Sequence, residues 1–342
     1  MIEVIDATTE HIADLLRLLE DNAMQGDWEL VMTRRPGYFS PRDDFGEVYP
    51  ALARDGDTLV GMCQLSIQSG WVNGEEARMG YLGSLRIVPK YRNHLKVLQA
   101  GFSYLRQLPT PDHCYTSIAE NNLLARRLLE RGVEGLPLYR FLSSMSTLAI
   151  SKSRGKDRGL WKVVPPEDYI DVIRFFAQES ASRQLAPALN LKAMQQTGIT
   201  VLGSYQNGQL VACGMLWDQR AFKQVIVAGY SGRMKMLRPL YNAFAGMTRR
   251  PQMPAAGEVV PQSFLSFLAC TDDTKLPDLI EEALLHCTTP VMTVGLPPGH
   301  ICTNDVIKRT GASVYRTRIY GVDLTAAPQW DGRIVWPEIA LL

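Results

Sequence analysis

Tyr81-Leu-Gly-Ser-Leu-Arg-Ile-Val-Pro-Lys-Tyr-Arg-Asn-His-Leu-Lys-Val-Leu98 reads as a buried strand that ends at Val88-Pro89 and turns through a basic loop into a helix. Pro89 has no N–H to give to a ladder and closes the strand. About thirty residues on comes Thr116-Ser-Ile-Ala-Glu-Asn-Asn-Leu-Leu-Ala-Arg-Arg-Leu-Leu-Glu-Arg-Gly132, a second strand, a short polar turn and a second helix. Asn121 or Asn122 suits the start of that helix and Gly132 its end. A strand that feeds a helix N-terminus is a ready anion site, because the first helical N–H groups are unpaired and the dipole favours negative charge.

Working outward, Met1 to Ile5 reads as a first strand, and Thr9 caps a helix with apolar positions at Ile12, Leu15, Leu16 and Leu19. Gly26 to Phe45, with Trp28 and Arg34-Arg35-Pro36, reads as a helix passing into a loop that faces a ligand. Tyr49 to Arg54 and Thr58 to Ile67 flank Asp55-Gly56-Asp57, a hairpin signal, and Asn73-Gly74 marks the next tight turn. Leu95 to Leu108 is a helix ended by Pro109. Tyr139 to Leu142 and Met145 to Ile150 read as two closing strands. The charged run Ser151 to Gly159 is the best domain boundary. Beyond it the pattern restarts, with strands at Leu160–Val164, Val201–Tyr205, Leu210–Trp217, Gln224–Gly229, Ser263–Cys270, Val291–Leu296 and Val314–Leu324. Helices are expected at Asp168–Arg183 and Leu276–Cys287, and a short one capped by Asn304 and ended by Gly311. The fold class is therefore α/β (α+β), a tandem of two related domains over 1–152 and 160–342. Each is a mixed, mostly antiparallel sheet flanked by helices. Met234 to Glu258 is extra, an interface or a lid.

Composition narrows the function. The 342 residues are 46% hydrophobic and 21% charged with a formal net charge of +1, so a packed core is expected. A nucleic-acid or membrane-surface partner would call for a basic excess and is not expected. The start, Met1-Ile-Glu-Val-Ile-Asp, lacks the pattern of a signal peptide, which makes the cytoplasm the expected location. Cys63, Cys114, Cys213, Cys270, Cys287 and Cys302 form no close pair and read as buried free thiols; with no clustered ligands, no metal site is expected.

The two strand-to-helix units together resemble the core of the GNAT N-acetyltransferases, of the bacterial tandem type, over the first ~150 residues. That resemblance implies a bulged fourth strand splayed from the fifth, with the pantetheine arm of acetyl-CoA, or another acyl-CoA, in the gap. It also implies that the loop after the fourth strand wraps the pyrophosphate. Carried onto this chain, the cofactor-binding residues are Leu85, Ile87 and Val88 on the strand, and Arg92, Asn93, His94, Leu95, Lys96 and Val97 in the loop. Asn121, Asn122 and Ala125 follow on the second unit. Leu95 and Val97 stand where the family has small residues. Either the phosphate is held in a looser geometry with help from Arg92, His94 and Lys96, or the site is degenerate. The family's thiolate-protonating Tyr is replaced by Leu129. Tyr139 is a substitute or a core aromatic. As general base Glu120 and Tyr81 rank first. In the second half Asp272 and Asp273 occupy the phosphate position and would repel it, so a structural or substrate-shaping role is expected there. The implied activity is acyl transfer to a small-molecule or peptide amine, with acetyl-CoA the default donor and a homodimer possible. The alternative is a non-catalytic ligand-binding or scaffold module.

Overall fold

In the computed structural model every residue is described except 22, 24–26, 40–44, 249, 250 and 326. Strand β1 (Ile2–Asp6) leads to helix α1 (Ile12–Glu20), which buries Leu15, Leu18 and Leu19 on one face. The cap lies one residue earlier than the sequence suggests: the Thr8 hydroxyl meets His11 Nδ1 at 3.1 Å across a short turn before α1. Trp28–Thr33 is a strand, β2, and not the expected helix-to-loop passage. Its partner lies far along the chain, so no local pattern announces it; residues 26 and 40–44 of that passage lie outside the described part. Strands β3 (Glu47–Asp55), β4 (Thr58–Val72) and β5 (Glu75–Ile87) then form a meander through the two expected turns. Helix α2 (Leu95–Leu105), β6 (His113–Ala119) and α3 (Leu123–Leu129) complete the two strand-to-helix units.

Tyr139–Ser151 is one unbroken strand, β7, where two closing strands were expected. Ser143 and Ser144 stay in the ladder opposite Ile319 and Arg318, so the expected break is only a one-residue bulge at Leu142, between Phe141 opposite Tyr320 and Ser143 opposite Ile319. The second half runs β8 (Lys162–Val163), α4 (Tyr169–Ser180), β9 (Arg183–Gln184), β10 (Ala186–Pro187), α5 (Leu191–Met194), β11 (Ile199–Gln206), β12 (Gln209–Trp217) and β13 (Gln224–Tyr230). It continues with α6 (Gly232–Thr248), β14 (Gln262–Cys270), α7 (Leu276–His286), β15 (Val291–Leu296), α8 (Thr303–Thr310), β16 (Ser313–Val322) and β17 (Ile334–Val335). Helix α4 ends at Ser180, short of Arg183, because Arg183 and Gln184 pair with β17. Helix α8 starts at Thr303, so Asn304 lies inside it, and Gly311 at φ 64° ends it in the left-handed conformation that glycine tolerates.

One sheet carries both halves, in the order β1-β3-β4-β5-β6-β16-β7-β15-β14-β12-β11-β8, with β10 on the far end of β4. The late strand β16 sits between β6 and β7, antiparallel to both. The main apolar cluster likewise joins Met79, Tyr81 and Tyr115 to Leu265, Leu279 and Leu284. Strands β2 and β13 stand off this sheet as a separate ribbon. Helix α6 follows that ribbon and turns Met236, Leu240, Phe244 and Met247 outward, while its Asn242 bonds Met253. None of the described helices is long and apolar enough to cross a membrane.

Candidate functional site

Strands β5 and β6 pair in parallel only at Met79–His113, Gly80–Cys114 and Tyr81–Tyr115. One last link follows, from the Thr116 hydroxyl to the Leu82 carbonyl at 2.6 Å, and then the strands part. The cause is in β5. Gln64 of β4 faces Gly83 and Met62 faces Arg86, so β5 carries one extra residue there. Ser84, at φ 54°, is the residue that turns out of the ladder. Tyr81 closes the apex: its hydroxyl lies 2.8 Å from Ser117 Oγ on β6. Its ring lies over Gly83, where a Cβ would come within 2.7 Å of Tyr81 Cε1.

The same construction recurs in the second half. Strands β14 and β15 pair in parallel from Gln262–Val291 to Leu265–Val294 and then part. Met215 faces Ser266 and Cys213 faces Ala269, and Phe267 sits at φ 50° in the bulge. Here the gap is filled by the chain itself. The Phe267 N–H donates to Glu338 Oε2 at 2.7 Å, and Glu338 Oε1 accepts from the Ala340 N–H at 3.1 Å. Trp336 Nε1 donates to the Gly295 carbonyl at 3.0 Å, and the Arg183 guanidinium lies 4.0 Å from the Trp336 ring. Gly295 allows this approach, since a Cβ there would meet Ile339 Cγ2 at 2.6 Å. Burial pushes the Glu338 carboxyl up to about 7 against the pull of its two N–H partners. The two bulges differ in exposure accordingly: Leu268 is 5% exposed and its counterpart Leu85 is 41% exposed.

Solved structures share this architecture. A GCN5-related N-acetyltransferase from Anabaena variabilis aligns over 94% of this chain and 72% of its own, with TM-score 0.52 and 9% identity. Saccharomyces cerevisiae N-myristoyltransferase with bound myristoyl-CoA aligns over 94% and 82%, with TM-score 0.59 and 11% identity. A probable N-acyltransferase from Enterococcus faecalis aligns over 94% and 72%, with TM-score 0.52 and 10% identity. The chain has the GCN5-related N-acetyltransferase (GNAT) fold. No protein-family model and no curated protein sequence matches it.

Within this GNAT fold the predicted site residues separate into groups. Leu85 is exposed as β5 leaves the bulge, whereas Ile87 and Val88 pack partly buried against the apolar clusters on either side of the sheet. The loop that follows is pinned: the Tyr91 hydroxyl bonds Asp55 at 3.1 Å and the Tyr91 ring packs on His94. Arg92, Asn93, His94 and Lys96 are exposed around the N-terminus of α2. Leu95 packs partly buried against the α2 cluster, and Val97 packs on Ala53 and Val60. The two positions that depart from the family pattern therefore serve the core. Asn122 caps α3, its Oδ1 accepting from the Ala125 N–H at 3.3 Å, while Asn121 is exposed beside it. Glu120 is held at the end of β6 by its backbone, which bonds Arg316 and Arg126. Tyr139 packs between Phe102 and Tyr320, and burial raises its phenol. That surrounding is the core alternative for Tyr139.

In the second half Asp272 is the cap of its own turn, and Asp273 bonds His300 Nε2 at 3.0 Å. Cys114, Cys213, Cys270, Cys287 and Cys302 are buried thiols and Cys63 is half-buried; burial pushes Cys63 up to about 12. Sequence reasoning offered Ser84 beside Tyr81 as a polar group of the strand interior but missed its bulge conformation, and it missed Ser117 and Glu338. A serine between Gly83 and Leu85 gives no sign of positive φ, and Glu338 lies in a short stretch without periodicity.

Proposed function

We propose that the protein is an acyl-CoA-dependent N-acyltransferase whose donor site is the first splay, in an N-terminal GNAT unit over 1–152. The second unit, 160–342, is structural or shapes the acceptor site. One observation carries this reading. In the second splay the bulge N–H of Phe267 holds a carboxylate oxygen, and residues 336–339 lie in the gap as a ligand would. The register places Ser84 at the same point of the first bulge, where the flanking Leu85 is open to solvent. The molecule thus carries one self-occupied copy of the site beside an open one.

On this reading the Ser84 N–H polarises the thioester carbonyl and receives the charge that develops on its oxygen. The amine attacks that carbon, the C–N bond forms, and the C–S bond breaks. Glu120 at the mouth of the splay takes the proton released from nitrogen, through water. The Tyr81–Ser117 hydroxyl pair at the apex supplies the proton that the departing thiolate needs. Arg92, His94 and Lys96, with the first N–H groups of α2, hold the pyrophosphate. Acetyl-CoA is the default donor. Longer acyl chains belong in the same screen, because a structure of this fold holds myristoyl-CoA. The acceptor is a small-molecule or peptide amine.

Thiol release from acetyl-CoA and longer acyl-CoAs, followed across an amine panel, tests this. Release with at least one amine is expected, with Arg92→Ala raising KM for the donor several-fold through a lost charged contact worth about 1 kcal/mol. Absence of release with every donor and amine would leave the non-catalytic reading in its place.

A further inference from the structure

We infer that the side of the first splay facing α1 is an anion site built on Arg34 and Arg86, and that the amine acceptor therefore carries a carboxylate. This rests on the donor reading above for the position of the amine, but the anion site itself stands on separate observations.

Alternation along β4 sends Met62, Gln64 and Ser66 to the α1 side and Leu65 and Ile67 to the α2 side. Their partners on β5, Arg86, Gly83 and Tyr81, share the α1 side. Arg34 reaches the same place from the segment after β2. It is 8% exposed, its guanidinium lies 4.7 Å from the Tyr38 ring, and its Nη1 donates to Gln64 Oε1 at 3.1 Å. The Tyr38 hydroxyl donates to the same oxygen at 2.6 Å, and Gln64 Nε2 donates to Ser66 Oγ at 2.7 Å. The Gln64 oxygen is thereby shared between two donors, leaving most of the Arg34 fork unused. Arg86 donates through Nη1 to the Leu85 carbonyl at 2.9 Å, and its Nε is buried with no partner.

Among the described residues no carboxylate pairs with either guanidinium. The titratable groups around Arg86 are Tyr81, Tyr38, Tyr315 and Arg34; burial first, and then Arg34, pull its pKa down. Two guanidiniums set among tyrosine side chains, with no carboxylate partner among the described residues, are held against both desolvation and mutual repulsion. A bound carboxylate relieves both, and the guanidinium fork matches its geometry. Arg86 lies two residues beyond Ser84, about 7 Å along the strand. An anion there sits within reach of an amine placed at the bulge, as in an α- to γ-amino acid.

The test uses the twenty free amino acids and their carboxamides as probes, read as shifts in Tm for wild type and Arg86→Met. At least one amino acid is expected to raise the wild-type Tm while its carboxamide does not. Arg86→Met is expected to lose that shift, to keep the shift given by coenzyme A, and to melt above wild type when ligand-free. The inference is overturned if no amino acid shifts wild type, if acid and amide act alike, if Arg86→Met keeps the acid shift, or if it melts below wild type. An acid-specific shift without any coenzyme A shift would uphold the anion site and remove the donor reading. A coenzyme A shift without any acid shift would do the reverse.

Discussion

Ser84 and Phe267 occupy the same left-handed bulge position in two splays, and neither is glycine. A side chain there costs roughly 1–2 kcal/mol, which the surrounding ladder must hold. Ser84→Gly should therefore unfold in urea at the same midpoint as wild type or higher, and Ser84→Val should lose about 1–3 kcal/mol. Glu338 gives a pH signature. Its folded value of about 7 lies above the ordinary 4.5. The stability it supplies is fully present below about 4.5 and is lost as pH rises through 7. Glu338→Gln lacks this titration. Its stability relative to wild type should improve from pH 5 to pH 8, by at most about 3 kcal/mol. A difference that stays constant over that range would show that the buried carboxyl does not titrate there.

At the scale of elements, β16 and the stretch Trp336–Leu341 do what no local pattern suggests. Ile319 in β16 is fully buried, and Ile319→Ala should cost about 2–5 kcal/mol in chemical denaturation. Trp336→Ala, which removes one of the side chains that fill the second splay, should cost about 3–5 kcal/mol. The elements legible in the sequence were those with their own punctuation: Asp55-Gly56-Asp57, Asn73-Gly74, Pro89, Asn122 and Gly132 each bound a strand or helix where the structure has one. The splay was legible only through the resemblance its two strand-to-helix units carry. What stayed hidden depends on partners distant in sequence. Strand β2 exists because β13 pairs with it, β7 runs unbroken because β16 lies along it, and Glu338 matters because Phe267 is across the gap. Arg34 and Arg86 belong to the same class, since the β4–β5 register sets Arg86 on the α1 side and the segment after β2 carries Arg34 to Gln64 on that side.

On the scale of the whole molecule, the charged run Ser151–Gly159 marks a change of pattern along a chain whose sheet and main core continue past it. Because β16 completes the sheet of the first half, far-UV dichroism and tryptophan fluorescence should report a single coincident unfolding transition. Residues 1–152 expressed alone, with β6 and β7 both lacking β16, should not give a cooperative transition. Two well-separated transitions in the full chain would contradict this shared-strand account. On the proposed reading one splay is open to a donor and its twin is closed by the chain itself. Isothermal titration with coenzyme A tests it most directly, on wild type, Arg92→Ala and Trp336→Ala. The predicted result is one coenzyme A per chain, weakened by Arg92→Ala and unchanged in wild-type-like fashion by Trp336→Ala. No binding, two sites per chain, or a single site lost in Trp336→Ala and retained in Arg92→Ala would contradict it.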